Sequence, residues 1–174
     1  MSITAQRPAT PPLIWPLRCA FTGIGIFVVG LVLFAVSSGY DLVMSPKVVD
    51  TAGTTITADP GSPAASLVII GVTITLLGYL TVRVAHGNLL AARWAAAVTG
   101  VYLVCGGGLS VTGHLSRSIQ YVLLDPSWVR WTNTAGVWLF VVGAALASVA
   151  LLLPATRRDL HPRRLARAEA ARRR

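Results

Sequence analysis

Four apolar runs, at residues 17–38, 66–84, 89–112 and 134–153, have most of the chain's charges between them or beyond them. A helix rises about 1.5 Å per residue and the hydrocarbon core of a bilayer is about 30 Å thick, so each run is long enough to cross. A soluble domain of 174 residues has no use for four helices that are apolar on every face. The expected fold is therefore an all-α integral membrane protein, with four transmembrane helices in an antiparallel bundle. Around the transmembrane domain at 17–153 lie an N-terminal segment at 1–16 and a basic tail at 154–174.

Composition agrees: 54% of residues are hydrophobic and 12% charged, which is the membrane class. The 15 basic residues outnumber the 6 acidic ones, but the excess sits in particular segments, so nucleic acid is not the expected partner. Every basic residue except Lys47 is an arginine. With the high alanine content, this is the composition of a GC-rich bacterial genome. The two cysteines, Cys19 and Cys105, cannot make a disulfide framework, and the reading for both is small buried hydrophobes.

Orientation follows from where the positive residues lie, because cytoplasmic segments retain them. The N-terminus, the gap between the second and third runs and the tail, with their bordering span ends, hold 12 of the 15 bases. These include Arg7, Arg18, Arg83 and Arg93 and the eight arginines of the tail. The other two loops hold only Lys47, Arg117 and Arg130. Both termini are expected in the cytoplasm of a multi-pass cell-membrane protein. A competing reading makes the first run a cleaved secretory signal ending near Ala35-Val36-Ser37. The long proline-rich leader, with Pro8, Pro11, Pro12 and Pro16, opposes it.

The first outer loop, 39–65, carries β-branched runs on either side of Thr51-Ala52-Gly53, a pattern that predicts a small β-hairpin over 47–57. In the second outer loop, Leu115, Ile119, Val122 and Leu123 recur near helical spacing, as an interfacial piece would. Asp125-Pro126 reads as an N-cap followed by proline at the first helical position. Tyr121, Trp128 and Trp131 then form an outer aromatic belt.

Each run contains two glycines seven residues apart: Gly23 and Gly30, Gly71 and Gly78, Gly100 and Gly107, Gly136 and Gly143. Seven residues is nearly two turns, so each pair shares a face. Small residues allow close approach where lipid supplies little drive for association, and these eight are the candidate helix-packing positions. They could line the bundle's own seams or face a partner. The third run is irregular, with Cys105-Gly106-Gly107-Gly108 followed by Ser110, Thr112 and Gly113, a poor helix interior. It is read as a packing surface, with a hinge or pore-lining break as the alternative.

No catalytic, metal or cofactor constellation stands out. His86 and His114 follow different spans at opposite membrane faces and cannot clamp one haem, and His161 lies in the tail. Ser110 and His114 share a helical spacing but have no positioned acid. None of the four runs contains Asp or Glu, which argues against proton-coupled transport. In the tail, Arg157, Arg158, Arg163, Arg164 and Arg167 are candidates for contact with anionic lipid headgroups or an acidic partner. The expected function is thus non-enzymatic: an accessory or assembly subunit of a larger inner-membrane complex, held by membrane lipids and a protein partner. The alternative is a small homo-oligomeric pore or transporter.

Overall fold

A computed structural model describes residues 15–44, 61–106 and 126–172. Five helices lie in these segments: α1 Trp15–Met44, α2 Gly61–Ala85, α3 Leu89–Val101, α4 Ser127–Leu152 and α5 Pro154–Arg172. A π-helical turn, Tyr102–Gly106, continues α3. The described residues are nearly all helical and include no strand. The hairpin expected over 47–57, the interfacial piece at 115–123 and Gly107 lie outside them.

Among the described residues, three stretches are long and apolar enough to cross a membrane: Trp15–Tyr40, Ala64–Ala85 and Ser127–Leu152. The third apolar run is a shorter helix over its described part, Leu89–Cys105. Helices extend beyond the apolar runs. Thus α1 continues to Met44, and α4 begins at Ser127, well before the run at 134. The reading of Asp125-Pro126 needs correction in one respect. Pro126, not Asp125, occupies the cap position, and its carbonyl accepts from Val129 N at 3.0 Å. A proline at the cap has no side-chain acceptor, so this end is capped by backbone alone.

Helix α1 packs against α4 and α2, and α3 packs against α2 and α4. The α1–α4 seam is the tightest because glycines lie on both sides of it. A Cβ at Gly23 would stand 2.6 Å from Ala147 N, and one at Gly136 would stand 3.0 Å from the Gly30 carbonyl. Gly30 against Phe140, and Gly143 against Phe27, leave still less room. Residue numbers fall along α4 as they rise along α1, so this pair is antiparallel. Phe27 fills the middle, meeting Tyr102 and Phe140 edge to face with ring centroids 5.4 and 6.4 Å away.

Three hydroxyl-containing pairs bridge helices within the apolar interior. Tyr102 OH lies 2.6 Å from Thr73 Oγ1. The Thr73 proton is committed to the Ile69 carbonyl at 2.7 Å, so Tyr102 is the donor. By the same reasoning Ser148 donates to Thr99 Oγ1 at 2.7 Å, since Thr99 is itself bonded to Ala95 O. Ser37 Oγ donates to the Phe34 carbonyl at 3.1 Å and lies 3.4 Å from Asn133 Oδ1, the longest of the three contacts. Such bonds each contribute about 0.6 kcal/mol in lipid.

Candidate functional site

The most distinctive surface is the end where α1 begins, α2 turns into α3 and α4 passes into α5. Leu17, Val84, Ala92, Leu151 and Leu160 share one buried cluster there, which fixes the level of the five helix ends. The α2–α3 turn is short because one glycine closes it. Gly87 has φ +82°, a left-handed conformation natural to glycine. Gly87 N donates to Val84 O at 2.8 Å and Asn88 N to Arg83 O at 3.1 Å, the two bonds of a Schellman cap. Asn88 then serves the next helix: its Oδ1 accepts from Leu90 N at 3.0 Å and Ala91 N at 3.2 Å.

The basic tail is the helix α5. Pro154 explains the break that precedes it, since the ring disfavours helical backbone at the residue before, and Leu153 has ψ 136°. Proline at the first helical position then suits the new helix. Thr156 and Leu160 pack α5 onto the bundle. Thr156 is fully buried and its hydroxyl donates to the Ala150 carbonyl at 2.5 Å, while Leu160 is 1% exposed. Gly87 touches the same stretch: a Cβ there would stand 2.9 Å from Arg164 N and 3.1 Å from the Leu160 carbonyl. Asp159 Oδ2 is buried at this junction and has no hydrogen-bond partner among the described residues.

With that face docked, Arg157, Arg158 and Arg164 are exposed, Arg163 is half-buried, and Arg167 lies further along the helix. Neither Thr156 nor Gly87 figured among the site residues the sequence offered. The signal available was slight: one leucine among arginines, and one glycine between two helices.

Seven of the eight glycines are among the described residues, and they separate into groups. Gly23, Gly30, Gly136 and Gly143 meet in the α1–α4 seam. Gly100 faces Ser148 Oγ loosely, at 3.9 Å from a would-be Cβ. Gly71 and Gly78 are exposed, and among the described residues no other side chain or helix comes within 4 Å of a would-be Cβ at either.

Among the described residues no three His, Cys, Asp or Glu side chains gather as a metal site would need. His86 and His161 are both exposed. The cysteines depart from the buried reading: Cys19 is half-buried and Cys105 exposed. Cys105 sits in the π-helical turn, where the extra residue rotates side chains away from the α-helical face. Neither a scan against protein-family models nor searches of curated proteins and of solved structures returned a match.

Proposed function

We propose that this chain is a non-enzymatic polytopic protein of a bacterial cell membrane, four helices in an antiparallel bundle with both termini cytoplasmic, acting as an accessory or assembly subunit of a larger inner-membrane complex. The observation that carries the reading is the outward face of α2. Gly71 and Gly78 have the spacing of the glycines that close the α1–α4 seam, yet they face open space between Val68, Thr75 and Val82. A glycine against lipid tails exposes backbone and packs poorly, whereas against a second helix it permits close approach. A partner's transmembrane helix is the occupant that suits this face. In this reading α5 rests on anionic headgroups with Arg157, Arg158 and Arg164 turned outward.

A second reading, a homo-oligomeric pore, draws on the π-helical turn at Tyr102–Gly106, since such turns accompany functional sites inside helices. Purification in mild detergent distinguishes the two. An unlike membrane subunit in fixed stoichiometry, released by Gly71→Leu or Gly78→Leu, supports the subunit reading. A homo-oligomer that conducts ions in planar bilayers supports the pore. A monomer, unchanged by either substitution, overturns both.

A further inference from the structure

The charged surface at the α5 end extends beyond α5. Arg18, Arg83 and Arg93 each adjoin a buried residue of the shared cluster, respectively Leu17, Val84 and Ala92. Successive helical residues point about 100° apart, and all three arginines are exposed. Each lies within about 6 Å of the end of its helix by the rise per residue. One arginine therefore stands on each of α1, α2 and α3 at the same level, and Arg157 and Arg158 supply the side where α4 meets α5.

Each of these three arginines has an aromatic residue nearby in its helix: Trp15 one turn before Arg18, Tyr79 one turn before Arg83, and Trp94 next to Arg93. These rings are 72%, 55% and 59% exposed. Arg83 shows how such a pair works. Its Nε donates to Tyr79 OH at 2.9 Å, and its guanidinium carbon lies 5.2 Å from the Tyr79 ring centroid. The side chain is thereby held in place while its terminal amino groups stay available. Among the described residues, no protein acceptor meets those groups, nor the side chains of Arg18, Arg93, Arg157 and Arg158. Towards the middle of the bundle the surface turns apolar at once, with Val82, Trp94 and Leu152 exposed beside the arginines.

We infer that Arg18, Arg83, Arg93, Arg157 and Arg158 form one girdle for anionic phospholipid headgroups, the bundle arginines binding as well as α5. This rests on the reading that α5 meets the bilayer surface. Charge complementarity selects the occupant. A guanidinium takes a phosphodiester through paired N–H donors, and aromatic rings beside it belong to the interface. An acidic protein would cover one flank, whereas these arginines stand on every flank, at the border between the polar helix ends and the apolar surface.

The test uses the purified full chain in neutral detergent micelles. Its thermal stability is titrated with short-chain phosphatidylglycerol, with phosphatidylcholine, with inorganic phosphate and with polyglutamate. Phosphatidylglycerol alone is expected to stabilise, and less so at high salt. The variant Arg18→Gln/Arg83→Gln/Arg93→Gln is expected to lose about fivefold in apparent affinity per arginine at low salt. The corresponding triple lysine variant, which keeps the charge, is expected to retain most of the affinity. If the triple glutamine chain does not fold, Arg83→Gln alone carries the same expectation. Undiminished affinity in the bundle variants, with loss in Arg157→Gln/Arg158→Gln/Arg164→Gln, overturns the girdle and leaves the α5 reading standing. Undiminished affinity in both sets overturns both. Equal stabilisation by inorganic phosphate or by polyglutamate overturns the lipid assignment.

Discussion

Gly30 on α1 and Gly136 on α4 meet backbone to backbone: a Cβ at Gly136 would stand 3.0 Å from the Gly30 carbonyl oxygen. Together with Gly23 and Gly143 they bring two long helices within direct main-chain contact. Dispersion between closely packed backbones, rather than hydrophobic exclusion, is what holds such a pair in lipid.

This seam has no room for a side chain. Gly143→Leu is expected to destabilise the purified protein by about 3 kcal/mol, at the upper end of the overpacking range. Gly25→Leu serves as the control, because nothing lies within 4 Å of a Cβ there. Thermal unfolding in detergent compares them. Equal stability of the two variants would refute a tight α1–α4 contact.

Gly87 has two reasons to be glycine, its positive φ and its proximity to α5. Gly87→Val is expected to cost about 1–2 kcal/mol from backbone conformation alone. The clash with Leu160 and Arg164 should also free α5 from the bundle. Hydrogen exchange should then rise in α5 and at the α2–α3 turn while the α1–α4 seam stays protected. Unchanged exchange in α5 would show that the glycine does not hold it.

Thr99 and Ser148 provide a test of polar bonding between helices. A double-mutant cycle with Thr99→Val and Ser148→Ala is expected to give a coupling of about 0.6 kcal/mol, the usual value in lipid. Tyr102→Phe should be similarly mild, because Thr73 keeps its bond to the Ile69 carbonyl at 2.7 Å. Tyr102→Ala also removes the ring from beside Phe27 and should cost about 3–5 kcal/mol. Equal effects of the two Tyr102 substitutions would show that the ring contributes nothing beyond its hydroxyl.

The positions of the apolar helices are legible in this sequence because apolar residues fill every face, a pattern that needs no tertiary information, whereas their ends, at Met44, Gly61 and Ser127, lie beyond the apolar runs. The seven-residue glycine spacing is equally visible, but it marks a face and says nothing of what lies opposite. Gly30 and Gly78 look alike in sequence, yet one touches Phe140 and the other meets no other helix among the described residues. The tail was harder to read. Its prolines and arginines obscure a helix whose docking depends on Thr156, Leu160 and a glycine about 70 residues earlier, and neither propensity nor periodicity encodes such a long-range contact. The Tyr102 bond to Thr73 joins residues 29 apart and is invisible for the same reason.

The orientation proposed for the bundle can be tested from its two ends. Leu160 of α5 shares a buried cluster with Leu17, Val84 and Ala92, the neighbours of Arg18, Arg83 and Arg93, so a single membrane face should hold these arginines and the start of α5. In a background of Cys19→Ala and Cys105→Ala, Arg164→Cys is expected to react with an impermeant maleimide only after the cells are permeabilised. Arg164 is exposed on α5, so a cysteine there is accessible once the reagent reaches that side. Asp50→Cys, in the loop between the first and second helices, should label in intact cells. Labelling of Arg164→Cys without permeabilisation, with Asp50→Cys protected, would invert the orientation. It would also place the arginine girdle in the outer leaflet, where the anionic headgroups it is suited to bind would have to be found.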